Sequence, residues 1–186
     1  MKKGELKALL TTLVVIAVGA LVALAASQES VRFNGWPVFA IAIALAYLIQ
    51  WVAFIPSYLN RTEKFYDLTG GITYLSVTLL SLVLSGNRDA RAILLAALVI
   101  AWSLRLSLFL FQRVRKAGED RRFREIKQSF WSFLQTWTLQ GLWVTFNLAA
   151  ALAVITSTRV VPIGAFAVVG FVIWLVGYAI EVVADA

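Results

Sequence analysis

The sequence predicts an all-α integral membrane protein, a bundle of about six transmembrane helices with both termini in the cytoplasm. Three observations carry this. The 186 residues are 61% hydrophobic and only 15% charged, with a mean hydropathy of +0.83. An ordinary soluble domain is roughly half apolar and a quarter charged, and a small chain cannot hide the excess because most of its residues reach the surface. Six apolar runs approach the roughly 20 helical residues that a hydrocarbon core of about 30 Å needs. The basic residues, finally, gather on alternate connecting segments.

The runs cover residues 6–26, 37–59, 68–84, 92–111, 139–156 and 162–184. They lack the alternation of a membrane barrel and are too long for its strands, and without water to satisfy backbone groups the helix is the remaining solution. The first run follows Lys2 and Lys3 and ends in Ala25-Ala26-Ser27, a pattern shared with cleaved signal segments. From Leu9 it continues for about 18 residues, longer than the hydrophobic stretch of such a segment, and it is read as a retained first helix. With the N-terminus inside, twelve basic residues fall on cytoplasmic segments: Lys2, Lys3 and Lys7; Arg61 and Lys64; and seven between Arg113 and Lys127. Only Arg32, Arg88, Arg91 and Arg159 fall outside. In short loops this is a clear positive-inside pattern. The chain forms a single membrane domain over residues 1–186, without internal repeats, and its one sizeable polar segment runs from Gln112 to about Gln128.

Composition also removes chemistry. There is no cysteine and no histidine, so thiolate nucleophiles, His-based triads and almost every zinc site are excluded, and no metal site is expected. The net charge of +7 is explained by orientation and anionic lipid rather than by nucleic acid.

Ionisable groups within spans are costly and are functional candidates by default. Arg105 lies about 10 Å inside the cytoplasmic end of the fourth span, where snorkelling to the headgroups is an equal rival. Glu181 is the only carboxylate well inside any span and is its expected acceptor. Gln50 and Tyr74 sit at a similar level and would complete a polar pocket open to the cytoplasm, with ordinary packing as the alternative. Asp67, at the start of the third span, is read as a helix cap, and the following Gly70-Gly71 as a place of close approach. Gln135, Gln140 and Asn147 are read as interhelical hydrogen-bonding groups. The basic segment, with Gly118-Glu119-Asp120 inside it, suits phosphates and ribose hydroxyls as well as lipid headgroups.

These residues, in order, resemble a known family. The stretches 65–71 with Tyr74, 102–106, 113–123, 139–143 and the closing 181–186 are similar to the bacterial branch of the steroid 5α-reductase-like membrane proteins, a branch described as a domain of unknown function. The resemblance covers residues 65–186. It implies a multi-helix membrane reductase in which NADPH enters from the cytoplasm to reduce a carbon–carbon double bond of a lipid or steroid-like substrate. It further implies cofactor contacts at Arg105, Arg113, Asp120, Arg122, Glu181 and Asp185, with Tyr74 and Gln50 at the substrate. Two features depart from the family pattern. Gln50 is followed by Trp51 where the steroid reductases have an acidic partner nearby, and no histidine supplies their C-terminal cofactor motif, so the chain is expected to represent the N-terminal two-thirds of such a protein. Two alternatives stay open: an S-adenosylmethionine-dependent lipid methyltransferase, and a non-enzymatic bundle binding lipid or a partner protein.

Overall fold

A computed structural model describes residues 3–185; Lys2, counted above among the N-terminal cations, and Ala186, the last residue of the closing stretch, lie outside it. The described residues form six helices, α1 (Lys3–Ala26), α2 (Val38–Leu59), α3 (Tyr66–Ser85), α4 (Ala90–Ala117), α5 (Phe130–Ile155) and α6 (Ala165–Ala184). All six are long and apolar enough to cross a membrane, and the chain is an integral membrane protein.

Two boundaries differ from the apolar runs, for local reasons. Helix α4 passes its predicted end at 111 and stops at Gly118, whose φ of +81° favours glycine. The basic residues of its last turn, Arg115 and Lys116, complement the negative end of the helix dipole. Helix α5 begins well before residue 139, at a Ser129 cap whose Oγ accepts from Ser132 N–H. Its first turns carry Phe133 and Trp137 on one buried face, while Thr136 and Thr138 return their hydroxyls to the carbonyls of Ser132 and Leu134. Polar residues therefore interrupt the apolar run without interrupting the helix.

Helix α5 is central and packs against α1, α2, α3 and α4. The principal core, around Phe39, Tyr47, Val77, Val144 and Leu148, lies between α2, α3 and α5, and α1 joins it through a stripe of Ala8, Thr12, Val15, Gly19 and Ala23. In contrast, α6 has no buried residue and stands at the periphery.

The two ends of the bundle are closed differently. At one end, strands β1 (Arg32–Phe33) and β2 (Trp36–Pro37) form a small antiparallel hairpin that the apolar-run reading did not anticipate. Asn34 and Gly35, both at positive φ, make its two-residue turn. At the other, basic end, two short 3₁₀ turns, Arg121–Phe123 and Ile126–Gln128, fold over the bundle mouth. Phe123 is buried there against Tyr66 and Phe133. Arg61 donates to the carbonyls of Lys127 (2.8 Å) and Gln128 (2.9 Å). Buried Glu63 accepts from Lys127 Nζ (2.7 Å) and from the backbone N–H of Asp120 (3.0 Å).

Helices α3 and α4 meet where Gly71 faces Ser103 and Ser107. A Cβ at Gly71 would overlap the Ser107 side chain, which is itself held by a 2.5 Å bond from its hydroxyl to the Ser103 carbonyl. Gly71→Ala is therefore expected to destabilise the protein by about 1–3 kcal/mol, the usual range for overpacking. Urea or thermal unfolding in detergent checks this, and Ser107→Gly in the same chain should recover most of the loss.

Candidate functional site

Arg105 on α4 faces α6, where Tyr178, Glu181 and Asp185 fall on one side of the helix. Its guanidinium donates to Glu181 Oε1, to Asp185 Oδ2 (2.5 Å) and to the Glu181 carbonyl (3.4 Å). Trp102, one turn away, donates its indole N–H to Glu181 Oε2 (2.9 Å). One cation thus serves two carboxylates, all of them partly shielded. The cluster carries a net negative charge, and the guanidinium's hydrogen bonds are spent on α6.

A second group lies in the segment after α4. Arg122 grips Asp120 through Nε (2.9 and 3.0 Å) and a terminal nitrogen (2.5 Å), and Asp120 also accepts the Arg122 backbone N–H. The hydrogen bond to Arg122 holds the Asp120 carboxyl below the usual carboxylate range, and the reciprocal bond raises Arg122. Arg122 is further attracted to Asp67. Arg124 pairs with Glu119. Among the described residues Arg113, Arg115, Lys116 and Arg121 make no ion pair, and Arg113 lies 5.9 Å from the Phe109 ring.

Between α3, α4 and α5 lies a cavity of about 460 Å³. Asp67 and Tyr66 line it at the basic end, and Tyr74, Trp102 and Trp143 line it deeper. Tyr74 is 7% exposed; its hydroxyl oxygen accepts from Asn147 Nδ2 (2.7 Å) and donates to none of the described residues. Its ring meets Trp102 edge-on, with centroids 5.1 Å apart. A second, apolar cavity of about 630 Å³ between α4, α5 and α6 shares Trp102, Leu106 and Trp143 with the first. Trp143 is 66% exposed on the outer face of the bundle.

The pocket expected from the sequence is thereby divided. Arg105, Glu181 and Asp185 come together between α4 and α6. Tyr74 belongs to the cavity. Gln50 is fully buried in the α2–α3 seam, where its Nε2 donates to Thr73 Oγ1 (2.7 Å), and it lines neither cavity. Asp120 and Arg122 form their own pair, and Arg113 lies near it without an ion pair among the described residues. Asp67 is not a cap: Phe65 holds that position, and the Asp67 carboxylate makes no hydrogen bond or ion pair with a described residue. Trp102 is the residue that sequence reasoning missed. It joins the ionic cluster to Tyr74, and its spacing of three from Arg105 was the signal for a shared helix face.

The model of one protein family, described as "Protein of unknown function (DUF1295)", matches residues 53–186. No curated protein and no solved structure gives a match. The family match takes in α3 to α6 and the last turns of α2, and so both cavities and the ionic groups around Arg105 and Asp120: the chain belongs to the DUF1295 family.

Proposed function

We propose that this protein is a reductase that uses NADPH to saturate a carbon–carbon double bond conjugated to the carbonyl of an apolar, lipid-like compound. The observation that carries this reading is the Tyr74 hydroxyl. Its oxygen is occupied by Asn147 while its proton has no acceptor among the described residues, so a carbonyl bound in the 460 Å³ cavity would receive it. A hydrogen bond placed in a water-poor site stabilises the negative charge that develops on such an oxygen during reduction. The exposed Trp143 and the adjoining apolar cavity give a membrane-dissolved substrate a lateral route.

The positive-inside pattern supports a basic end that faces the cytoplasm from the bacterial cytoplasmic membrane, where a soluble dinucleotide would meet it. The donor set fits a phosphate-bearing cofactor at this end. Arg113 and Arg121 make no ion pair with a carboxylate of the described residues and would hold phosphates, with the Asp120–Arg122 pair beside them. Arg105, committed to Glu181 and Asp185, does not suit a phosphate; it positions α6 and, through Glu181, Trp102. NADPH when bound supplies the hydride; the chain's own residues bind it, exclude water and orient the substrate carbonyl.

Equilibrium binding followed by tryptophan fluorescence in lipid nanodiscs tests the reading. Saturable NADPH binding, weakened about tenfold or more by Arg113→Ala/Arg121→Ala, is expected. Tyr74→Phe should leave that affinity unchanged and lower turnover of a bicyclic enone roughly hundredfold, as for loss of one oxyanion donor. Absence of saturable NADPH binding, or displacement of NADPH by S-adenosylmethionine at comparable concentrations, would overturn it.

A further inference from the structure

The cavity that holds Tyr74 has a second polar end. Asp67 and Tyr74 are seven residues apart on α3, close to two full turns and about 10 Å along the axis, and both line the same cavity. The Asp67 carboxylate is half-buried yet accepts no hydrogen bond from a described residue. Its charged neighbours, Arg122, Arg113 and Asp120, act on it through space rather than by contact.

Gln140, from α5, lines the same end. Its Nε2 donates to the Tyr66 carbonyl (3.2 Å), which fixes the amide orientation, because the reversed amide would set oxygen against oxygen. Its Oε1 is consequently left enclosed and without a donor. The arrangement depends on Gly70, where a Cβ would collide with the Gln140 amide. The half-buried Asp67 carboxylate therefore stands at one end of the cavity with no donor among the described residues, while the other end presents the spare proton of Tyr74. Buried acceptors are normally satisfied; the Gln140 oxygen is sealed within the wall, whereas the Asp67 carboxylate borders the cavity and is open to donors that arrive with a ligand.

We infer that this end of the cavity is a subsite for neutral hydroxyl groups of the bound ligand, accepted principally by the Asp67 carboxylate. Neutral donors suit it better than an ammonium group. The charges of Asp67, Asp120, Arg113 and Arg122 already balance, and an added cation would stand unneutralised against the apolar walls formed by Leu106 and Leu110. The ligand is thus polar at both ends: hydroxyl at Asp67, hydrogen-bond acceptor at Tyr74, and an apolar body of about 10 Å between them. A hydroxylated apolar substrate and the ribose of a nucleotide both offer this chemistry. The inference rests on the proposed function only in taking the cavity as the ligand site, and its test separates the two.

The experiment measures quenching of tryptophan fluorescence in the full chain in nanodiscs, with two pairs of probes. One pair is a bicyclic enone with and without a hydroxyl remote from its carbonyl. The other is reduced nicotinamide mononucleotide and its 2′,3′-dideoxy analogue. Wild-type protein is expected to bind the hydroxylated member of at least one pair about tenfold more tightly. Asp67→Leu should erase that preference while leaving the deoxy probe's affinity in place, and Asp67→Asn, which keeps one acceptor oxygen, should retain part of it. Preference within the enone pair assigns the hydroxyl to the substrate, and preference within the nucleotide pair assigns it to ribose. No preference in either pair, or a preference that survives Asp67→Leu, overturns the inference. Tyr74→Phe should weaken both enones equally; its failure to do so would overturn the carbonyl reading and leave the hydroxyl subsite standing.

Discussion

Replacing Arg105 with methionine should release α6 from the bundle. The other helices bury residues against one another, whereas α6 buries none, and its direct polar links to the bundle run through the guanidinium and the Trp102 indole. Without Arg105, Glu181 and Asp185 would face each other one turn apart on a single helix, two like charges beside an apolar groove. Breaking a buried pair from one side costs about 3–5 kcal/mol. The side chains here are a fifth to a third exposed, so a loss on the order of 3 kcal/mol, the lower end of that range, is the expected size. Because the chain has no cysteine, spin labels can be attached at engineered Leu94→Cys and Phe171→Cys, which line one cleft between α4 and α6. The distance distribution should broaden strongly in Arg105→Met. An unchanged distribution would show that lipid or another contact holds α6. The triple change Arg105→Met/Glu181→Leu/Asp185→Leu should restore a narrow distribution, since an apolar replacement of a whole ionic cluster is often neutral or stabilising.

Much of this arrangement was legible in the sequence along one coordinate only. Counting residues from the ends of the apolar runs fixes depth in the membrane, and it puts Gln50 and Tyr74 near the level of Arg105, and Glu181 somewhat shallower, the one carboxylate well inside a span. Depth does not fix the direction a side chain faces. Successive helical positions turn by about 100°, so Thr73 looks into the α2–α3 seam and meets Gln50, while Tyr74, one position later, looks into the cavity. Gln50 was consequently grouped with Arg105 by level although it faces another helix. The start of α5 was hidden for a different reason: threonine hydroxyls that bond to carbonyls of the preceding turn satisfy themselves within the helix, and an apolar-run criterion counts them as interruptions. Asp67 was read as a cap because an acid at a helix start usually is one; only the packing of α3, α4 and α5 around an open volume shows that its carboxylate borders a cavity. The partnership of Glu63 with Lys127 spans 64 positions, and no local pattern announces it.

That partnership supports the other large expected effect. Glu63 is 3% exposed, and its carboxylate is shared between Lys127 Nζ and the backbone N–H of Asp120. Lys127→Met would leave a buried carboxylate without its cation, a change worth about 3 kcal/mol or more. The cost should appear first at the basic end, because Glu63, alongside Arg61, ties the α2–α3 connection to the segment after α4. Hydrogen exchange over residues 118–129 should accelerate by a hundredfold or so, about 3 kcal/mol at 1.4 kcal/mol per factor of ten, while the α2–α5 core stays protected. The double variant Glu63→Gln/Lys127→Met separates charge from shape. A neutral amide oxygen can still accept from Asp120, so most of the protection should return. If the double variant exchanges as fast as the single one, the ammonium acts through its packing rather than by neutralising Glu63. The consequence reaches the proposed site by a short path: Glu63 holds the Asp120 backbone, the Asp120 carboxylate holds Arg122, and Arg122 lies within electrostatic range of Asp67 at the cavity mouth. A loosened Glu63 should therefore weaken binding of a hydroxylated probe even though neither Glu63 nor Lys127 lines the cavity.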